Sequence, residues 1–468
     1  MSQHTTNNLH NRLQHRLDKL YSRINYERQS RATSRSFKLE DMRELMRRLG
    51  NPHLQYPIIH VAGTKGKGSV STLTGAILTE SGKKTGVYTS PHLETIHQRM
   101  AIDGRLITDA ELLETLDALE PAIKEMDADA ESNDRRPLTF FEITTAAMFW
   151  FFAKQKVDIA VIEVGLGGRL DSTNVCQPDV CVITNISLDH TRQLGNTIDA
   201  IAREKAGIIK DRAPVVSGAI NPDASAVIAS VAGERESRLF VRDHDFRVES
   251  ESGPDGRFFT MGTTDSGNYL VDELALKAPG WHQRTNAGLA VAAIKLLSEN
   301  RDGFDFDIAA LRRGLGQAQL VGRTEYVGSQ PDVVIDMAHN VASIAALVDT
   351  VTKSPNWKTA ESRRLIMATS REKDAQGMLC LLARHFDEII FTQYQNNPRG
   401  KPPTELLEIA NRLRDQMNLA TELSIEPTPA DAWSRIETVA SRDDIICITG
   451  SAFLVAELRK LVIDSQTQ

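Results

Sequence analysis

The sequence predicts an α/β protein. A P-loop parallel sheet domain, flanked by helices and carrying a small antiparallel appendage, precedes a second, smaller α/β domain of Rossmann-like type. Three observations predict this: short Val- and Ile-rich segments alternate with helical ones, a glycine- and lysine-rich turn follows the first, and the alternation restarts beyond residue 320. Such alternation is typical of parallel sheets covered by helices, and 468 residues exceed one ordinary core.

The first domain is predicted to span residues 1–320. Five segments are predicted as buried strands because they are rich in Val and Ile or bounded by Gly, Pro or Asp: 57–62, 85–90, 157–165, 178–186 and 214–219. Helical patterns cover 109–126 and 198–210 between them. Residues 240–272 predict hairpins, which form the antiparallel appendage.

The second domain is predicted to span residues 321–468. Helical patterns at 281–300 and 308–320 lead into it. Four further strands are predicted, each separated by helices: 331–336, 364–369, 388–392 and 444–449.

The N-terminal residues 1–50 are predicted as a helical extension. The first 56 residues carry eleven Lys/Arg against five Asp/Glu, a surplus of six. This surplus predicts either a solvated helix with arginines on its wet face, which is the usual behaviour of charge runs, or an arm that attracts an anionic substrate.

Composition excludes several classes of function. Apolar residues make up 41% and charged residues 25%, the balance of a soluble globular protein, and the net charge of −7 argues against nucleic acid as the main partner. The longest apolar run, 146–153, is too short for a membrane span, and the N-terminus lacks the apolar core of a secretory signal. We therefore expect a cytoplasmic monomer with no membrane contact. The scattered cysteines predict buried thiols rather than disulfides or a zinc site: Cys176, Cys181, Cys380 and Cys447.

The stretch Ile58–Ser69, IIHVAGTKGKGS, predicts a phosphate-binding loop of unusual spacing. The common pattern G-x-x-x-x-G-K-[ST] is not met, because Val61 stands at its first glycine and Gly68 separates Lys67 from Ser69. A strand nevertheless precedes the turn and a helix from Ser69 to about residue 80 follows it. That framing directs helix N–H groups at the loop, lets the glycine backbone approach phosphate, and places Lys67 against the outer phosphates.

Three residues at other strand ends predict a magnesium site. Ser90, Glu163 and His190 each lie at or just after a predicted strand, and ligands gather at the carboxyl ends of parallel strands. Each has a structural alternative. Ser90 could cap a helix, and His190 could be a surface or capping histidine. Glu163 is harder to explain this way, since an acid in an apolar strand costs stability unless it is paired or ligated.

With these motifs in order, the sequence resembles the folylpolyglutamate synthase and dihydrofolate synthase family of the Mur-type amide ligases. The resemblance covers nearly the whole chain, and its most specific motif is EVGLGGRLDSTN with REKAGI downstream. It is carried by these segments: GTKGKGS, YTSPHL, LTFFE, EVGLGGRLDSTN, SLDHTRQLGNT, REKAGIIK, GWHQRTNAGLA, GRTE, DMAHN and TGSAFLVAELR.

The resemblance implies roles for individual residues. The ATP contacts it implies are Lys65, Gly66, Lys67, Gly68, Ser69, Asn286, Arg323 and Asp336. Magnesium would be held by Ser90, Glu163 and His190. The catalytic residues it implies are Lys67, Lys205 and His339. Those near the pterin-bearing substrate are Thr139, Phe140, Leu170, Asp171 and Ser172, although Phe140 and Phe141 could simply be core residues.

Lys205 is the one residue for which the two arguments differ. The residues alone predict a plain helical lysine in a Glu-Lys pair, whereas the resemblance implies a carbamate on Lys205, an anion that could support magnesium. Two of the departures from the family are single residues: Lys65 where many relatives have Asn, and Met337 where Gly is common. Residues 37–42 also replace the family's usual segment before Arg48, in a region that receives pteroate in relatives.

The predicted activity is ATP-dependent ligation. A substrate carboxylate of dihydropteroate or a reduced folate becomes an acyl phosphate, and L-glutamate then displaces the phosphate. Two alternative functions share parts of this pattern. One is a Mur-type cell-wall peptide ligase, which the extra glycine of GKGS and the EVGLGGRLDSTN motif disfavour. The other is a non-ligase P-loop nucleotide switch, although the Asn-Lys-x-Asp sequence of GTPase switches is absent.

Overall fold

The computed structural model describes residues 3–25, 39–250 and 257–466. The chain divides into two compact units. The first comprises the chain up to Leu276 together with Arg284–Ala318, and the second comprises Lys277–Gln283 and the chain from Gln319 onwards. Among the described residues, no helix combines the length and apolar character that crossing a membrane requires.

The first unit contains helices and strands in near-regular alternation. Its helices are α1 Gln3–Tyr21, α2 Leu39–Arg48, α3 Lys67–Glu80, α4 Asp109–Ser132, α5 Phe140–Lys154, α6 Thr191–Leu194, α7 Ile198–Ala206, α8 Pro222–Glu234, α9 Trp281–Asn300 (whose first three residues group with the second unit) and α10 Ile308–Gln317. Its strands are β1 Ile58–Ala62, β2 Thr85–Tyr88, β3 Met100–Ile102, β4 Arg105–Leu106, β5 Ile159–Glu163, β6 Val180–Ile183, β7 Val215–Ser217, β8 Leu239–Val241, β9 Phe246–Ser250, β10 Phe258–Thr264 and β11 Gly267–Leu274.

The main sheet of the first unit has β1 in its interior, between β5 and β6. The strand order is β4-β3-β2-β5-β1-β6-β7-β8, and the strands from β2 to β8 in this order are parallel. β1, β5 and β6 are buried along their whole length, which fits their continuous Val and Ile runs. The carboxyl ends of β2, β5, β1 and β6 therefore lie side by side.

The predicted parallel strands are confirmed, and one detail of the prediction was wrong. Residues 240 and 241, predicted within the antiparallel appendage, belong instead to β8, which pairs in parallel with β7, with Leu239 opposite Val215. The three-stranded appendage begins only at Phe246. The main sheet also has an antiparallel edge, since β3 pairs antiparallel with both β2 and β4.

The N-terminal helices are part of the first unit's core rather than a solvated extension. Leu13 and Leu20 of α1 and Met42 of α2 are buried in the cluster that covers one face of the sheet. The basic side chains pair with acids of α4: the guanidinium of Arg16 lies 2.7 Å from Asp117, and that of Arg48 lies 2.8 Å from Asp129. Within the described ranges, these arginines are thus paired inside the unit, whereas residues 26–38, which carry four of the eleven basic side chains, lie outside the described residues, so the arm that attracts an anionic substrate stays a prediction.

The second unit is built on a six-stranded sheet of order β12-β13-β17-β14-β15-β16, parallel except for β12. Its strands are β12 Glu325–Ser329, β13 Asp332–Ile335, β14 Arg363–Met367, β15 Glu388–Phe391, β16 Glu422–Ile425 and β17 Ile445–Thr449. Its helices are α11 Val341–Thr352, α12 Pro355–Thr359, α13 Ala375–Leu382, α14 Pro403–Met417, α15 Pro429–Val439 and α16 Ala452–Gln466. The predicted bounds of the two domains, with a division at residue 320, stay a prediction.

Candidate active site

The loop between β1 and α3 has the backbone geometry of an anion cradle. Gly63 and Gly66 adopt φ values of +147° and +85°, which side-chain-bearing residues rarely accept. A Cβ on Gly63 would lie 1.9 Å from Thr184 Oγ1, and one on Gly66 would lie 2.5 Å from Asn286 Oδ1. Gly66 precedes α3 and has no side chain to cap it, so the first N–H groups of α3 face the loop.

Two lysines converge on the carbonyl oxygen of Gly63. Lys205 Nζ donates to it over 2.7 Å, and Lys67 Nζ donates over 3.3 Å. Lys205 is only 4% exposed, and burial, followed by the nearby charge of Lys67, lowers its pKa well below 10.5. The site therefore disfavours the charged form of Lys205 relative to an exposed lysine.

The glycine-rich loop after β5 places Lys205 there. A Cβ on Gly168 would lie 2.7 Å from the carbonyl oxygen of Glu204, so this loop contacts the backbone of α7 directly. The carboxylate of Glu204 pairs with Arg169 over 2.7 Å. Lys205 is a helical lysine as predicted, since it lies in α7, but the predicted Glu-Lys pair was wrong, because Glu204 pairs with Arg169 and Lys205 donates to Gly63 O.

Ser90 and Glu163 meet at the neighbouring strand ends. The Ser90 backbone N–H donates to Glu163 Oε2 over 2.9 Å, and Glu163 is 3% exposed. The Ser90 hydroxyl is buried without a hydrogen-bond partner among the described residues, and Ser90 is no helix cap. An orphaned hydroxyl beside a buried carboxylate suits a hard cation such as Mg²⁺, which prefers oxygen ligands.

His190 lies just after the next strand, at the start of α6. It has φ +50°, and its side chain makes no capping hydrogen bond to α6 and is 54% exposed. Within the described ranges, no three His, Cys, Asp or Glu side chains are grouped so as to hold a metal. The structure thus joins Ser90 to Glu163, and it places His190 in the segment that follows β6, on the other side of β1 from β5.

The segment after β6 forms hydrogen bonds with the phosphate loop, and the sequence analysis did not predict this contact. Thr64 N–H donates to Asn185 O over 2.8 Å, and Lys65 N–H donates to Asn185 Oδ1 over 2.8 Å. Thr184 Oγ1 donates to Lys65 O over 2.6 Å. Lys65 Nζ lies 3.0 Å from Asp189 Oδ2. The position of this segment at the end of the strand next to β1 was the available signal.

Two of the residues expected near a pterin are engaged in local structure. Thr139 caps α5, since its hydroxyl accepts from the Glu142 N–H over 3.2 Å. Phe140 is fully buried: the ring of Tyr21 stacks on it at 5.7 Å, and the Arg99 guanidinium lies 5.1 Å from its centroid. Two interpretations were open for Phe140, a pterin contact and a core residue, and the burial of its ring fits a core residue.

The other three lie on the loop after β5. Leu170 and Ser172 are half-buried, whereas Asp171 is 5% exposed. Asp171 accepts hydrogen bonds from Leu166 N–H and Thr173 N–H at 2.9 and 3.0 Å, so its carboxylate shapes this loop. Burial raises the pKa of Asp171, and these hydrogen bonds oppose that rise.

In the second unit, the predicted nucleotide residues form a compact turn around β13. Asp336 accepts from the Thr324 and Ala338 N–H groups at 2.6 and 2.7 Å. His339 Nδ1 lies 2.8 Å from Met337 O. These contacts order the turns that carry Arg323 and His339. Met337, the departure from the family's glycine, packs against Gly322, where a Cβ would lie 3.1 Å from the Met337 side chain.

Comparison with known proteins decides the family. The Mur ligase middle domain matches residues 61–294, and the Mur ligase, glutamate ligase domain matches residues 322–452. The dihydrofolate synthase/folylpolyglutamate synthase of Bacillus subtilis (strain 168) is 35% identical over 423 residues, which cover 90% of this chain and 93% of that protein. The chain belongs to the folylpolyglutamate synthase and dihydrofolate synthase family of Mur ligases. It is an enzyme, an ATP-dependent acid–amino-acid ligase.

Solved structures of this family share the fold. The Mycobacterium tuberculosis folylpolyglutamate synthase complexed with ADP superposes with a TM-score of 0.84 at 30% identity, covering 97% of this chain and 99% of that one. Escherichia coli FolC in complex with DHPP and ADP gives a TM-score of 0.77 at 29% identity, covering 92% and 94%. The predicted two-part α/β architecture is therefore that of the folylpolyglutamate synthases.

Proposed function

We propose that this ligase adds L-glutamate to a pterin-type carboxylate, converting dihydropteroate to dihydrofolate, extending the tail of a reduced folate, or both. The convergence of Lys67 and Lys205 on Gly63, below the N-terminus of α3, carries the proposal for this chain. The geometry suits a triphosphate, because helix N–H groups and a lysine face the same loop. The relatives named above, with ADP or DHPP in their complexes, supply the substrate class.

The proposed reaction has two steps. A carboxylate oxygen of the substrate attacks the γ-phosphorus of ATP, the bond to the β-phosphate oxygen breaks, and ADP leaves. The glutamate amine then attacks the acyl carbon, loses a proton, and phosphate leaves. A carboxylate is a poor electrophile at neutral pH. Its conversion to an acyl phosphate by ATP activates the acyl carbon for attack by the amine.

The residues of the first unit have separable roles in this scheme. Gly66, Lys67, Gly68 and Ser69 hold the phosphates, with Asn286 beside Gly66, and Lys67 compensates charge on the transferring phosphoryl group. Ser90, Glu163 and His190 would hold a magnesium ion, which would neutralise phosphate oxygens. In the second unit, Arg323, Asp336 and His339 are proposed as further nucleotide contacts.

Lys205 is proposed to carry a carbamate. A neutral amine is required, because its lone pair attacks the carbon of CO₂ and a proton is then lost. Burial of Lys205 lowers its pKa, which makes the neutral amine easier to reach than in an exposed lysine. The product is an anion beside Lys67, which would replace repulsion between two cations with attraction.

Phosphate release from ATP tests the proposal. We expect release that requires both glutamate and either dihydropteroate or tetrahydrofolate, each offered separately, and mass spectrometry should find a product one glutamate heavier. Release that ignores both substrates would contradict the proposal. A product only with dihydropteroate, or only with tetrahydrofolate, would assign the chain to one of the two activities.

A further inference from the structure

The side chain of Lys65 forms an ion pair with an acid outside the phosphate loop. Its backbone is held at both ends, by Asn185 Oδ1 on its N–H and by the Thr184 hydroxyl on its carbonyl. Its ammonium group lies 3.0 Å from Asp189 Oδ2, and the two side chains are 29% and 12% exposed. A half-buried pair on a fixed backbone loses less to solvent screening and side-chain entropy than an ordinary surface pair.

Asp189 uses its second oxygen on the neighbouring residue. Asp189 Oδ1 accepts a hydrogen bond from the His190 backbone N–H over 2.9 Å. His190 has φ +50°, a left-handed conformation that is unfavourable for a side-chain-bearing residue and persists only where the surroundings impose it. One carboxylate therefore connects the lysine of the phosphate loop to the strained residue whose side chain is the candidate metal ligand.

We propose that Lys65 and Asp189 are positioning residues that hold the His190 segment against the phosphate loop, and that Lys65 is not itself a phosphate ligand. The inference rests on the proposed function, because it takes His190 as a magnesium ligand. It assigns Asp189 a role that follows from its contacts with Lys65 and with the His190 backbone. It also explains how a lysine is accommodated at position 65: its charge is compensated by Asp189.

ADP binding, measured by calorimetry with and without Mg²⁺, tests the inference without requiring turnover. Lys65→Met and Asp189→Asn should each reduce the Mg²⁺-dependent gain in ADP affinity about 10-fold. The double variant should show a reduction no larger than that of the more affected single variant, since both substitutions remove the same ion pair. Lys65→Arg keeps the charge and should stay within about threefold of the wild type. Lys154→Met removes a Lys–Glu pair of the same 3.0 Å length on the surface and should change nothing.

Two results would overturn the inference. One is a Lys65→Met loss of equal size without Mg²⁺, which would make Lys65 a phosphate ligand. The other is multiplication of the two single-variant losses in the double variant, which would make the residues independent. Failure of the proposed function is distinguishable, since it would appear in the wild type as phosphate release that ignores glutamate and pterin substrates, whatever the binding data show.

Discussion

Lys205 Nζ lies 2.7 Å from the carbonyl oxygen of Gly63, although 142 positions of chain separate the two residues. The contact places a buried amine under the first glycine of the phosphate loop. It turns an ordinary-looking lysine in REKAGIIK into a candidate catalytic group, because the surroundings disfavour its charged form.

Replacing Lys205 should separate its catalytic role from its cost to stability. Because burial lowers the pKa of Lys205, the unfolded chain binds one proton more than the folded chain at any pH between the folded pKa and 10.5, so the free energy of unfolding should rise with pH across that window. In bicarbonate-free buffer, Lys205→Met should therefore melt higher than the wild type at pH 7, with the difference shrinking toward pH 10. Thermal melting from pH 7 to 10 checks this.

The same lysine should control turnover. Lys205→Ala should abolish most ligase activity, and wild-type enzyme prepared without bicarbonate should regain activity when bicarbonate is added. Rates of phosphate release measure both. Full activity of the variant and of the bicarbonate-free wild type would show that Lys205 is a structural residue.

Gly66→Ala should weaken nucleotide binding more than its backbone strain explains. A Cβ at residue 66 would lie 2.5 Å from Asn286 Oδ1, whereas Gly82, with a similar φ of +79°, has open space around it. Gly82→Ala should cost about 1 kcal/mol of stability and leave ADP affinity unchanged. Gly66→Ala should reduce ADP affinity about tenfold or more, because the new Cβ would also displace the Asn286 side chain. Equal ADP affinities in the two variants would show that displacement of Asn286 does not affect nucleotide binding.

Ser90→Ala should affect magnesium without affecting the fold. Its hydroxyl is buried and unpartnered among the described residues, so removing it should change the free energy of unfolding by less than about 1 kcal/mol. The Mg²⁺ concentration for half-maximal activity should rise about 10-fold or more. Ser424→Ala, which removes another buried and unpartnered hydroxyl, is the matched control and should leave magnesium dependence unchanged.

His60 should make the protein acid-sensitive. Its Nε2 lies 2.9 Å from Thr173 Oγ1, and burial lowers its pKa to about 3. Between pH 6.5 and 3 the unfolded chain therefore binds the proton that the folded chain excludes, so stability should fall as pH falls through that window. His60→Gln should flatten the dependence of the urea midpoint on pH between 7 and 4. A variant with an unchanged slope would show that another group, such as His53, controls it.

Phe140→Leu should distinguish a core residue from a pterin contact. Phe140 is fully buried against Tyr21 and Arg99, so Phe140→Ala should cost about 3–5 kcal/mol of stability. Phe140→Leu should recover most of that cost. If its KM for dihydropteroate is then normal, Phe140 serves packing. A raised KM in a stable Phe140→Leu variant would instead support the substrate role.

Local sequence patterns were sufficient to predict the parallel strands and part of the candidate site. Apolar runs predicted the parallel strands, and the strand–turn–helix order around Gly66 predicted the anion cradle, because hydrophobic period and glycine placement act over a few residues. The parallel pairing of the strand Leu239–Val241 was not predicted, because a pattern over a few residues does not identify the partner strand. Its short apolar run fits a hairpin or a parallel edge strand, and only its partner β7 decides between them.

The sequence by itself determined the fold class, the phosphate loop and the set of strand-end residues, because each is encoded by neighbours along the chain. Only the tertiary structure decided which charges meet. Arg16 and Arg48 are neutralised by α4, Lys65 pairs with Asp189, and Lys205 turns away from a glutamate beside it to reach Gly63. These choices depend on burial and on distances between segments far apart in sequence, and a carboxylate or an amine carries no local sign of the partner that folding will bring to it.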